Sequence, residues 1–198
     1  MATQTQIQYN RKLQQIVKLV RADVDAELVP VIKQQAPEYV ADAWTDIIAA
    51  ALRRLLTRWT SPQAQRQAEQ IAAEFVRTSA QDNMRRSFGI DLYGGNDQLQ
   101  DYLQAASFQN AQLIKSIPAQ YLEQVSNIVM GNMRQGMRPS YIEGELVKQF
   151  GITQRRAKLI ARDQTSKIQG EMSRIRQVNS GLEYFKWVTS QDERVRHS

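Results

Sequence analysis

Three cations, Arg155, Lys158 and Arg162, follow one another at three- and four-residue steps near the C-terminus. That period sets side chains on one face of a helix. Such a stripe can neutralise phosphates along a nucleic-acid backbone, with an affinity that falls as salt rises, or it can meet an acidic protein surface. It can equally be a solvated face, helped by an Asp163 to Lys167 pair. Lys167, Arg174 and Arg176 extend the positive charge along the same segment. Further on stand Asp192 and Glu193. Adjacent positions on an extended segment point to opposite faces, and Arg194 and Arg196 offer ready charge partners, so the pair reads as structural, not as an acid and base.

Most other chemistry is excluded by residue type. Cys is absent and His occurs once, at His197, so disulfides, thiol catalysis, Cys/His metal sites and a Ser-His-Asp triad cannot be assembled in the usual ways. There is no Gly-rich loop ending in Lys-Ser/Thr, no H-E-x-x-H and no G-x-S-x-G. Gly94-Gly95 reads as a turn, because a phosphate cradle needs a strand before it and a helix after it. No catalytic residue, metal or cofactor is expected.

The elements that would position the stripe are helical. At 198 residues, 42% hydrophobic and 23% charged, the chain is ample for a folded core. Residues 1–149 carry 16 Lys and Arg against 15 Asp and Glu, and residues 150–198 carry 10 against 5. The net charge of +6 is therefore almost entirely C-terminal. The run from Tyr102 to Ile114 has no charge but several amides, and no segment spans a bilayer. The N-terminus lacks the pattern of a secretory signal, so a soluble cytosolic product is expected.

Asn10 is the expected cap of a first helix reaching Val29, with Pro30 closing or kinking it. A second is expected over Pro37–Trp59, burying Val40, Trp44, Ile47, Ile48, Ala51, Leu52 and Leu55. Ser61-Pro62 starts a third, ending near Ser87 before Gly89. Gly89–Asp97 reads as a loop, between two halves or within one domain. Beyond it the periodicity predicts one helix through Leu113 and another capped by Ser116 and ended by Gly136. A short helix from Ser140 to Gly151 and a longer one capped by Thr153, reaching about Asn179, complete the helical part. In the longer one Ala157, Ile160, Ala161, Ile168, Met172 and Ile175 face inward. The 26 Gln residues, spread without tracts, suggest polar helix surfaces. Leu182–Ser190 is rich in aromatic and β-branched residues and reads as a strand, with Phe185 and Trp187 on one side and Leu182, Tyr184 and Val188 on the other. It suits core or subunit packing, or a stacking platform for single-stranded nucleic acid. The fold class is thus mainly α, with a small C-terminal β segment.

The run from Arg155 to the C-terminus resembles the signature of phage head-morphogenesis proteins, the Mu F-like minor capsid family. Arg156-Ala157, Ile160-Ala161-Arg162, the stretch from Gly181 to Trp187, and Thr189-Ser190 followed by Asp192-Glu193-Arg194-Val195-Arg196 carry the resemblance in order and spacing. Gly89–Leu92 and Asn110–Pro118 are also similar to this family, so the resemblance covers about residues 89–198, and residues 1–88 form an N-terminal helical region without a signature. Many relatives read Arg-Thr-Glu where this chain has Arg162-Asp163-Gln164. The family continues past the Arg-x-Arg element into a His and a Gly-containing β segment, whereas this chain stops at Ser198, so a C-terminally shortened member is expected and His197 is not matched to the family His.

What the resemblance implies is a low-copy, non-enzymatic virion component made in the host cytoplasm, built into the inside of the head near the portal vertex, and linked to DNA packaging or ejection. The implied partners are portal protein, major capsid protein, packaged double-stranded DNA or further copies of itself, with no membrane. Gly181, Trp187, Asp192, Arg194 and Arg196 are expected to be structural. A strand at Tyr184–Ser190 without neighbours would pair with another chain; rapid amide exchange there in the assembled particle would count against it. The alternative is a sequence-independent DNA-binding protein using the basic helix face.

Overall fold

In a computed structural model that describes residues 3–35, 43–86 and 97–179, the first helix, α1, spans Gln4–Asp23 and opens well before Asn10. Thr3 caps it, its hydroxyl accepting from the Gln6 N–H at 3.1 Å. The polar opening turns still belong to the core, because Thr5 and Tyr9 are buried beside Leu13, Ile16, Val17 and Val20. Pro30 does not close the helix. A π-helical turn over Val24–Leu28 comes first, the Val29 N–H reaching back to the Val24 carbonyl, and helix α2 follows over Val29–Gln35. The wide turn makes room for a residue that has no N–H and whose ring crowds the turn before it.

Helix α3, Ala43–Trp59, buries Trp44, Ile48, Ala51 and Leu55, while Ile47 faces outward. Val40 lies outside the described residues. Helix α4, Pro62–Arg86, begins as Ser61-Pro62 predicts: the Ala64 N–H donates to the Ser61 hydroxyl at 3.3 Å.

Two expected breaks are absent. Helix α5 runs unbroken over Asp97–Arg134 with Pro118 inside it, and Ser116, expected as a cap, donates its hydroxyl to the Leu113 carbonyl at 2.7 Å. Helix α6 runs unbroken over Pro139–Asn179, and Thr153 likewise donates to the Gln149 carbonyl at 3.0 Å. An interior proline costs about 3 kcal/mol and a glycine about 1. Burial of Ile114, Ile117, Tyr121 and Leu122 around Pro118, at about 1.5–3 kcal/mol per large apolar side chain, outweighs the first cost. Leu146, Ala157 and Ala161 flanking Gly151 do the same for the second. The turn between α5 and α6 is a true stop. Gly136 has φ +69°, and the N–H groups of Gly136 and Met137 return to the Met133 and Asn132 carbonyls, each at 3.0 Å, closing a Schellman motif.

These helices form a four-column up-down-up-down bundle: α1–α2 rise, α3 and α4 descend end to end, α5 rises and α6 descends. The core is in two stacked parts. Leu13 and Val17 of α1, Ala72 and Phe75 of α4, Ile114 of α5 and Ala161 of α6 belong to the first. Val24, Leu28, Leu55, Val125, Val129 and Leu146 belong to the second. Residues on both sides of position 88 therefore share each part of the core. The helical expectation holds, and no strand occurs among the described residues. The expected β segment at 182–190 lies outside them.

Burial pushes the phenols of Tyr9 and Tyr121 above their ordinary value, which is near 10. The unfolded chain gives up these protons first, so the stability is complete below about pH 10 and falls as pH rises beyond it. Tyr9→Phe should flatten that fall. Urea midpoints measured across about pH 9–11 check this, and equal slopes in the two proteins would show that Tyr9 ionises without cost to the fold.

Candidate partner-contact face on the last helix

Which side of α6 faces outward is set by side-chain amides, among them glutamines that the sequence suggests are surface groups. Gln14 on α1 donates to the Gln154 carbonyl at 2.9 Å. Gln169 donates to the Ser79 carbonyl at 3.1 Å, and buried Asn83 donates to the Gln169 side chain at 2.9 Å and to the Ser173 hydroxyl at 3.1 Å. Asn110, fully buried, accepts from the Tyr9 hydroxyl at 3.1 Å and donates to the Ala106 carbonyl at 2.8 Å and to Gln164 at 3.4 Å. Buried polar groups of this kind must be paired, so they lock one azimuth of α6 against α1, α4 and α5. The expected inward residues follow, with Ala157, Ala161, Ile168, Met172 and Ile175 buried and Ile160 partly so.

With that azimuth fixed, Arg155, Lys158 and Arg162 are exposed together, within about 60° of one another around the helix. Arg162 pairs with Asp163 at 3.1 Å, so Asp163 is taken by this neighbour and not by Lys167. Arg155 and Lys158 have no ion-pair partner among the described residues. Lys167 lies about 140° further round the axis from Arg162 and donates to Gln109 of α5 at 3.3 Å. Arg174 sits on that same flank, bound to Glu171 at 2.6 Å. This hydrogen bond holds the Glu171 carboxyl below the ordinary carboxylate range and raises Arg174. Arg176 returns to the stripe side but is half-buried and engaged. The stripe is therefore Arg155, Lys158 and Arg162, without Lys167 and Arg174.

Arg156, next to the stripe, points the other way. Its guanidinium donates to Ser116 of α5 at 2.9 Å, and burial lowers its pKa. It serves the α5–α6 packing. What the sequence reading missed is apolar: Tyr141, Ile152 and Leu159 share the outward face with the cations, each about half exposed. Their signal was a three- and four-residue repeat out of phase with the buried one. Gly181, Trp187, Asp192, Arg194 and Arg196 lie outside the described residues. Among the described residues, no three His, Cys, Asp or Glu side chains gather to hold a metal, and no helix is long and apolar enough to cross a membrane.

A protein of Haemophilus influenzae described as uncharacterized is 33% identical over 210 residues, which cover all of this chain and 46% of that protein. The chain thus spans about half the length of the curated relative it matches. No solved structure matches it. The family described as Phage Mu protein F like protein matches residues 123–198, taking in the end of α5, the whole of α6 with its outward face, and the residues that follow it in sequence. Over these residues, and not over the whole chain, the protein is similar to the Phage Mu protein F like family.

Proposed function

We propose that the chain is a minor, non-catalytic component of a tailed-phage head, acting in head morphogenesis at the portal vertex and in the passage of DNA through it. The observation that carries this is the family match falling on α6 and the motif after it, the same part of the chain that holds the excess positive charge. The long buried faces of α5 and α6 leave one helix side free for contact, which suits an adaptor built into a larger shell. Sedimentation of the purified chain with isolated portal rings, at physiological salt and without DNA, tests it. A stable co-sedimenting complex is expected. Binding to duplex DNA but not to portal or capsid shells would overturn it in favour of the second reading.

That second reading, a sequence-independent DNA-binding module, is favoured by one observation: Arg155 and Lys158 project outward with no carboxylate partner among the described residues. If the stripe tracks phosphates, replacing Arg155, Lys158 and Arg162 by Gln should lower the slope of log affinity against log salt by about 2.7, at about 0.9 per phosphate contact. Stability should change by no more than about 0.5 kcal/mol per exposed site. Filter binding of random duplex across a salt series measures this, and an unchanged slope removes the stripe from DNA binding.

A further inference from the structure

We propose that the outward face of α6 between Tyr141 and Arg162 is the seat of an acidic amphipathic helix from a partner protein. This rests on α6 being the contact face of a head component, and names the chemistry of what it contacts. Tyr141, Glu145, Lys148, Ile152, Arg155, Leu159 and Arg162 follow one another at alternating steps of four and three. That heptad period is the one a second helix follows when it winds along the first. None of these side chains belongs to the chain's own core, which α6 meets with Leu146, Thr153, Ala157 and Ala161.

The face joins two features that one ligand class satisfies together. Tyr141, Ile152 and Leu159 are 51%, 49% and 49% exposed, an apolar seam over about five turns of helix. Alongside run Lys148, Arg155, Lys158 and Arg162 against only Glu145 and Asp163. Lys148 is bound to Glu145 at 2.6 Å and Arg162 to Asp163, which leaves Arg155 and Lys158 to meet carboxylates from outside. At Gly144 an added Cβ would meet nothing within 4 Å, and at Gly151 only the Arg155 guanidinium at 3.9 Å, so a partner backbone can come close beside the seam. A phosphate backbone would use the cations and leave the Ile152 and Leu159 side chains without a role. A second copy of the same face would set cations against cations. A helix with Leu or Ile on its inner stripe and Glu or Asp flanking it uses both features.

The test uses the full chain and a labelled four-heptad peptide with Leu at the inner positions and Glu at the flanking ones, whose own Glu–Glu repulsion keeps it monomeric. Needing no virion, it can fail while the placement in the head stands. Fluorescence anisotropy at physiological salt should give a Kd on the order of 10 μM or tighter. The paired variants Ile152→Ala with Leu159→Ala, and Arg155→Gln with Lys158→Gln, should each weaken binding at least tenfold. All four side chains are exposed, and unchanged circular dichroism and Tm should accompany both variants. A peptide with Lys in place of Glu should bind at least tenfold more weakly. No binding of the acidic peptide, binding indifferent to the Ile152 and Leu159 pair, or tighter binding of random duplex DNA than of the peptide would each overturn the proposal.

Discussion

Leu13→Ala should lower the unfolding free energy by about 2–5 kcal/mol and still unfold in a single transition. Leu13 is fully buried in the core part shared by α1, α4, α5 and α6, so its truncation leaves a cavity that those helices cannot close without losing other contacts. Leu55→Ala, fully buried in the other core part, should cost a similar amount. The two parts are stacked, but the column of α1 and α2, and the helices α5 and α6, cross both of them, so neither can melt while the other keeps its walls. Urea unfolding followed by Trp fluorescence, which among the described residues reports on Trp44 and Trp59, should therefore coincide with the loss of helical circular dichroism in both variants. Separate midpoints for the two probes would show that the stacked parts are independent units.

The second large effect is polar. Asn110→Ala should destabilise the protein by about 2–4 kcal/mol, because it leaves the buried Tyr9 hydroxyl and the Gln164 amide without their partner and opens a small void. Tyr9→Phe alone should cost about 1 kcal/mol, since it removes one hydrogen bond while keeping the ring stacked on Phe75, with centroids 3.8 Å apart. In the double variant the orphaned hydroxyl no longer exists, so the sum of the single losses should exceed the combined loss by about 1 kcal/mol or more. Thermal and urea unfolding of the four proteins measures the cycle. Strict additivity would mean that the Tyr9 to Asn110 bond carries no stability.

The helical architecture is legible from periodicity because apolar side chains at three- and four-residue steps have only one way to share a face. Ser61-Pro62 marks the α3–α4 junction from local chemistry alone, and Gly136 marks the α5–α6 turn for the same reason. Pro118 and Gly151 misled the sequence reading. Their intrinsic cost is real, but it competes with burial contributed by other helices, and a linear pattern carries no record of those neighbours. Ser116 and Thr153 misled it too, since a hydroxyl that can cap a free helix start can also bond to a carbonyl of the preceding turn. Gln14, Gln164 and Gln169 show the same limit for polar residues: their amides bridge helices inside the bundle.

At the candidate face, Arg155, Lys158 and Arg162 could be grouped from spacing alone. Lys167 and Arg174 could not be separated from them until the azimuth of α6 was known. Ile152 and Leu159 escaped notice for a related reason. Aliphatic residues on a long helix look like core wherever more than one phase of the repeat is available, and the phase here is chosen by Asn83, Asn110 and their partners across the bundle.

Helix α6 has 41 residues and so spans about 62 Å at 1.5 Å per residue, with no interruption where the sequence suggests one. A rod of that length, clamped along most of its course by three other columns, acts as a ruler. Its two ends, at Pro139 and Asn179, are held at a set separation, comparable to the breadth of a folded domain or two. A hinge at Gly151 would have let those two ends fold toward each other. The continuous helix forbids this, so a load on one end is carried to the other without bending.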